Sequence, residues 1–172
     1  MPSRCGPIGA LAIIAARAHG AREIVATDIT DAVLEKARAV GADRTINVAS
    51  DPSALSAYAA NKGYFDAQFE ASGNESAVRS GLEALRPRSV LVQLGLGGDV
   101  SIPQNLIVAK EIEMKGTFRF HEEFALAVDL INARRVDLKP LMSGTFPIAD
   151  AVAAFEAAGD RSRSMKIQLS FT

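Results

Sequence analysis

Cys5-Gly6-Pro7-Ile8-Gly9, followed by the apolar run at residues 10–19 and then by Glu23-Ile24-Val25-Ala26-Thr27-Asp28, is the stretch on which the fold turns. A glycine-rich turn that opens a helix, then a short apolar strand ending in a carboxylate about 20 residues on, is the layout of a dinucleotide site. Gly6 lets the backbone approach a pyrophosphate, and Gly9 lets the helix pack close against a sheet. The helix N-terminus adds free N–H groups and a partial positive charge for the phosphates. Asp28, at the strand's end, is placed to accept hydrogen bonds from both hydroxyls of a ribose. The fingerprint is incomplete. Its full form is G-x-G-x-x-G, and Arg4 stands where the first glycine belongs. Ahead of it come only Met1-Pro2-Ser3, too few residues for the strand that normally carries such a loop. The surviving G-x-x-G is also ordinary turn chemistry before an alanine-rich helix, so the rest of the chain has to decide.

Downstream, the pattern alternates. Leu11, Ile14, Ala15 and Ala18 keep helical spacing, and Gly20 sits where a C-terminal cap glycine belongs. Thr30 or Asp31 starts a helix whose Val33, Leu34, Ala37 and Val40 share one face, stopped at Gly41. Residues 44–48 read as a strand and 51–60 as a helix. Residues 64–71 read as a strand, with Asn74 capping a helix over 75–85 that ends at Arg86-Pro87. A strand at 89–94 runs into Gly95-Leu96-Gly97-Gly98, a short helical turn follows Ile102-Pro103, and 111–118 and 122–134 read as strand and helix. This order predicts an α/β fold, a doubly wound parallel sheet of the Rossmann type with its first strand truncated. After Lys139-Pro140 the character changes. Phe146-Pro147-Ile148 precedes a small helix at 149–158, and 165–171 alternates as a half-exposed strand does. These elements do not extend the βαβ series. The expected division is a dinucleotide-binding domain over 1–137 and a short C-terminal helix-strand appendage over 138–172.

The chain has 172 residues, 48% of them apolar, and a formal net charge of −1, enough for a real core and without the basic excess that nucleic acid or an anionic membrane attracts. A single cysteine, Cys5, forms no internal disulfide, and the apolar residues at 10–18 are too few to span a bilayer and are interrupted by Arg17. No run reads as a signal peptide, so a cytoplasmic setting is expected.

Several separated motifs carry a resemblance. Cys5-Gly6-Pro7-Ile8-Gly9-Ala10-Leu11-Ala12, the strand ending in Asp28, Lys36-Ala37-Arg38-Ala39-Val40-Gly41-Ala42-Asp43 and Phe65-Asp66-Ala67-Gln68-Phe69-Glu70-Ala71-Ser72-Gly73 resemble, in order, the cofactor-binding half of the zinc-type medium-chain alcohol dehydrogenases. Lys115-Gly116-Thr117-Phe118-Arg119-Phe120 and Arg135-Val136-Asp137-Leu138-Lys139-Pro140-Leu141 are similar to its polyol and aldonate branch, that of sorbitol and L-idonate 5-dehydrogenases. The resemblance implies that Gly6, Pro7, Ile8 and Gly9 meet a pyrophosphate and Asp28 the adenosine ribose. It implies further that Ser72 lies on the adenosine side, Leu94, Gly95 and Leu96 near the nicotinamide, and Thr117, Phe118 and Arg119 beside the nicotinamide and its carboxamide. The cofactor it implies is NAD rather than NADP, because Asp28 repels a 2′-phosphate and Ile29-Thr30 offers no arginine to bind one.

Relatives of this kind bind a catalytic zinc through Cys, His and Glu ligands of an N-terminal domain. That zinc polarises a secondary alcohol for hydride transfer to NAD. Here Cys5, His19 and His121 keep no metal spacing, so neither zinc ligands nor catalytic residues are expected in this chain, and no turnover from it alone. Glu70 is expected to play a structural part at the strand's end. The resemblance also implies a homodimer or larger species joined along the edge strand 111–118, with Val152, Phe155, Ile167, Leu169 and Phe171 left without their usual partner surface. Two other readings stay open at this point. One is a non-catalytic nucleotide-binding module or degraded fragment. The other, less favoured, is an S-adenosylmethionine-dependent methyltransferase, whose glycine loop and strand-end acid are arranged in a related way.

Overall fold

A computed structural model describes residues 1–160 and 163–171. The series begins with β1 (Pro2–Ser3), α1 (Pro7–Ala18), β2 (Val25–Asp28), α2 (Asp31–Ala39) and β3 (Arg44–Asn47). It continues through α3 (Ser56–Ala59), β4 (Phe65–Glu70), α4 (Glu75–Ala84), β5 (Leu85–Gln93), α5 (Gln104–Lys110), β6 (Glu113–Gly116) and α6 (Glu123–Asn132). The six strands are all parallel and lie in the order β3-β2-β1-β4-β5-β6. That is the doubly wound Rossmann arrangement expected from the alternation.

Each element follows from its residues. All four positions of β2 are buried, as a central parallel strand covered on both faces requires. Helix α1 opens on Pro7, whose missing N–H costs nothing in the first turn, and presses Gly9, Ala10, Ile13 and Ile14 inward. The Asn74 side chain caps α4, its Oδ1 accepting from Ser76 N at 2.9 Å. The other end of α4 is held by a buried lysine. Lys110 Nζ donates to the carbonyls of Leu82 (3.0 Å), Glu83 (2.7 Å) and Leu85 (2.7 Å), closing acceptors that a helix end leaves open. Burial holds that ammonium below the usual lysine range.

The structure corrects the sequence reading in four places. Residues 2–3 do form a strand, and it fills the middle of the sheet. Ser3 stands opposite Thr27 on one side and Glu70 on the other, while Arg4 N donates to Thr27 O at 2.8 Å and Phe69 N to Met1 O at 3.0 Å. Two paired residues suffice at this depth because both neighbouring strands are already held by β3 and β5. Secondly, the helix expected over 51–60 shrinks to α3, since Asp51 and Ser53 hold a turn through Ser53 N and Oγ to Asp51 Oδ1. Thirdly, the edge strand expected over 111–118 is only four residues long, because Glu111 at φ 52° turns the chain at the end of α5.

The fourth correction concerns the C-terminal segment. β7 (Met142–Pro147), α7 (Ala151–Gly159) and β8 (Lys166–Ser170) form a small βαβ unit of their own, with β7 and β8 parallel. Gly144 and Pro147 disguise β7 as loop, and pairing with β8 overrides their poor strand preference. The unit docks through Leu141 and Met165 onto Ala10 and Ile14 of α1. Val152, Phe155 and Phe171 are exposed, whereas Ile167 and Leu169 are half-buried. Residues 161, 162 and 172 of the expected appendage lie outside the described residues. Helix α6 is apolar but buries no residue, and Phe124, Leu126 and Ile131 are exposed on it. Among the described residues no helix is long and apolar enough to cross a membrane.

Candidate functional site

Strands β1 and β4 are neighbours in the sheet, and the chain leaves β1 for α1 on one side and β4 for α4 on the other. Their carboxyl ends therefore open a crevice at the point where the strand order reverses. Asp28, at the end of β2, is buried beside it. Its Oδ2 accepts from Cys5 N at 2.8 Å, and its Oδ1 from Ile29 N at 2.8 Å and Thr30 N at 3.0 Å. A carboxylate offers about four acceptor positions, so three are taken by backbone and the remainder is left for a ligand. The same bonds tie the end of β2 to the loop before α1, fixing the acid relative to the helix N-terminus. Thr30 occupies the cap position of α2, its side chain makes no cap bond, and its backbone N–H donates to Asp28.

The loop itself is built on close approach. A Cβ added at Gly9 would come within 2.0 Å of Arg4 O, so only glycine lets α1 start this near β1. A Cβ added at Gly6 would meet nothing within 4 Å, so the space beside it is open to a ligand. Cys5 is fully buried, and burial together with nearby Asp28 pushes its thiol up to about 12, which excludes a thiolate nucleophile here at neutral pH.

Two cavities meet at Asp28. The first, about 410 Å³, is walled by Thr27, Asp28, Leu55, Ser72, Asn74 and Ser76 among others. The second, about 340 Å³, is walled by Gly6, Pro7, Ile8, Gly9 and Asp28, and on its far side by Ala158, Ser164 and Met165 of the C-terminal unit. Arg4 borders both. A wider hollow of about 690 Å³, lined by Glu23, Arg44, Tyr58 and Tyr64, lies at the opposite ends of the strands, away from the crevice.

Glu70, fully buried at the end of β4, organises the floor. Its Oε1 accepts from Ser72 N at 2.8 Å, from Ser72 Oγ and from Ser3 Oγ at 3.3 Å. Its Oε2 accepts from Gly73 N at 2.7 Å and Gln93 Nε2 at 2.6 Å. These bonds join the ends of β1, β4 and β5. The loops after β4 and β5 then touch backbone to backbone, since a Cβ on Gly95 would sit 2.2 Å from Gly73 N and one on Gly97 1.9 Å from Gly73 O.

The structure thus brings Gly6, Pro7, Ile8, Gly9, Asp28 and Ser72 to two adjoining cavities. It does not bring the other expected residues there. Leu94, Gly95 and Leu96 follow β5, with Leu94 N and Gly95 N both donating to Glu70 O at 2.8 Å and Leu96 exposed. Thr117 continues β6 through its N–H to Gln93 O at 3.1 Å. Phe118 is exposed, with the Arg119 guanidinium 5.1 Å from its ring centre. These six line neither cavity. Sequence reasoning missed the walls supplied by Leu55, Ser76, Ser164 and Met165. No local pattern marks them, because α3, α4 and the C-terminal unit reach the crevice only through tertiary packing. Among the described residues no group of three or more His, Cys, Asp or Glu is placed to hold a metal ion, so the residues present do not fit a zinc.

A parallel sheet in this order, with a glycine loop at a helix N-terminus and an acid at the next strand's end, defines a Rossmann-type dinucleotide-binding domain. The zinc-binding dehydrogenase family profile matches residues 7–133, and the chain belongs to that family. It is 39% identical over 170 residues to L-idonate 5-dehydrogenase (NAD(P)(+)) of Escherichia coli K12, covering 98% of this chain and 49% of that protein. It is 33% identical over 159 residues to sorbitol dehydrogenase of Mus musculus, covering 89% of this chain and 44% of that one. The crystal structure of the Escherichia coli L-idonate 5-dehydrogenase superposes with a TM-score of 0.92 at 38% identity, over 99% of this chain and 49% of the other. The chain spans about half the length of the curated relatives it matches. Family membership takes the place of the methyltransferase reading.

Proposed function

We propose that this chain, through its domain at 1–137, is the NAD-binding portion of a dehydrogenase that oxidises a secondary alcohol of a polyol or sugar acid, and that by itself it does not turn over. The observation that carries the reading is Asp28 held by three backbone donors at the junction of two cavities, one of them walled by Gly6 to Gly9 at the start of α1. An adenosine fits the cavity with Ser72 and Asn74, its ribose hydroxyls on the free side of Asp28, and the pyrophosphate fits the space beside Gly6. Leu94, Gly95 and Leu96, with Thr117, Phe118 and Arg119, are the strand-end residues that face the nicotinamide half. Bound NAD supplies the hydride acceptor. The C-terminal unit, from residue 138 onward, closes the pyrophosphate cavity through Ser164 and Met165.

Calorimetry with the purified chain tests this. NAD binding with negligible reduction of NAD in the presence of L-idonate or sorbitol is the expected result. Absence of binding heat removes the cofactor reading, and measurable turnover removes the statement about catalysis. A second reading, nucleotide binding without any part in catalysis, draws on Arg4 in the place of the first glycine; it requires ADP to bind as tightly as NAD, since nothing would hold the nicotinamide.

Self-association in a cytoplasmic setting belongs to the same reading. The β6 edge is open with Met114 exposed, and α6 presents Phe124, Leu126 and Ile131 to solvent, an apolar surface of the kind that pairs copies. Light scattering at micromolar concentration is expected to return a dimer or larger species, and a Phe124→Ser/Ile131→Ser double variant to return less of it. A monomer throughout removes the assembly.

A further inference from the structure

We infer that the Arg4 guanidinium is the group by which this crevice takes a phosphoryl group, so that Arg4 selects among the adenine nucleotides the site accepts. The inference rests on the nucleotide-site reading above.

Arg4 adopts φ 64°, the left-handed region that glycine occupies freely and an arginine enters at a cost of about 1 kcal/mol. Its backbone is pinned at both ends. The N–H donates to Thr27 O at 2.8 Å, and the carbonyl lies against Gly9, where a built Cβ would come within 2.0 Å. The conformation is therefore imposed by β1 and α1, at the point where Arg4 borders both cavities. That side chain is exposed and makes no ion pair or hydrogen bond with any described residue. The acid on the same walls, Asp28, already accepts from Cys5, Ile29 and Thr30.

Electrostatically the place suits an anion. The α1 N-terminus carries a partial positive charge, Arg4 adds a full one, and Asp28 supplies the opposing charge. Ala158, Ser164 and Met165 form the far wall of the second cavity. A guanidinium presents a planar fork that matches two oxygens of a phosphate. The position at the meeting of the two cavities is within reach of either phosphoryl group of an adenine nucleotide, the 5′-pyrophosphate or a 2′-phosphate. The second possibility places an arginine outside Ile29-Thr30, where the sequence offers none.

The test is calorimetry on the full chain and its Arg4→Gln variant, which removes the charge but keeps a polar side chain and the same left-handed strain, with adenosine, ADP and 2′-AMP as probes. Adenosine is expected to bind both chains equally, while ADP, 2′-AMP or both lose about tenfold on the variant, the amount a charge-assisted contact contributes. Loss with ADP alone assigns Arg4 to the pyrophosphate, and loss with 2′-AMP alone assigns it to a 2′-phosphate. Equal affinities of all three probes on both chains overturn the inference and leave the nucleotide site standing. An Arg4→Gly variant adds a second control, since it relieves strain and removes the side chain. If it binds ADP more tightly than the parent, Arg4 is an obstruction and the inference fails. If neither the parent nor Arg4→Gly binds any probe, the nucleotide reading falls as well.

Discussion

Replacing Gly9 by alanine is expected to lower stability by about 3 kcal/mol and to weaken NAD binding at least about tenfold, while Gly6→Ala weakens binding alone. A Cβ at Gly9 would lie 2.0 Å from Arg4 O and 2.9 Å from Arg4 C, and both are backbone atoms that no rotamer change can move aside. The start of α1 must then retreat from β1, at a cost typical of overpacking, and its free N–H groups leave the phosphate position with it. Gly6 is different in kind. It has φ −55°, which any residue adopts, and open space where its side chain would point. Alanine there costs the fold little and occupies room the ligand needs. Thermal melting and calorimetry on the two variants therefore separate the packing role of one glycine from the ligand role of the other. A Gly9→Ala chain that melts with the parent contradicts the close approach, and a Gly6→Ala chain that binds NAD at parental affinity places the pyrophosphate elsewhere.

Glu70→Ala is expected to cost about 3–5 kcal/mol, lowering the melting temperature by about 10 °C. The substitution leaves Ser3 Oγ, Ser72 N and Gly73 N without this acceptor, and Gln93 Nε2 with only Gly95 O, in a region where three strand ends converge. Each stranded buried donor costs about 1–3 kcal/mol, and the sum is reduced because the loops relax together. Asp66→Asn on the same strand is the control. Asp66 is an exposed carboxylate paired with exposed Arg86, and its loss is expected to stay below about 1 kcal/mol. Equal melting of the Glu70 and Asp66 variants contradicts the organising role of Glu70. Because Glu70 holds Ser72, its loss also loosens the adenosine-side wall, so NAD affinity falls with stability rather than independently of it.

The alternation of apolar runs with glycine and cap signals was enough to read α1, β2, α2, β4 and α4 close to their observed bounds, because each is a local consequence of side-chain period and cap chemistry. Asn74 illustrates this, since a short polar side chain just before an amphipathic run has one obvious donor to accept from. Elements that depend on a distant partner were not legible. β1 has two residues and no intrinsic strand signal, yet it pairs on both sides because β2 and β4 leave a space between them. β7, with Gly144 and Pro147, reads as loop until β8 is beside it.

The sequence by itself determined the Rossmann class of this protein, the glycine loop and Asp28. Those are matters of residue type at short spacing, where backbone sterics and hydrogen-bonding capacity act directly. Only the tertiary structure decided that Asp28 is tied by Cys5, Ile29 and Thr30, that Glu70 binds three strand ends together, and that Arg4, Ser164 and Met165 line one cavity with the glycine loop. The physical reason is separation along the chain: these contacts join residues up to about 160 positions apart, and closing such loops is a property of the whole core rather than of any window within it.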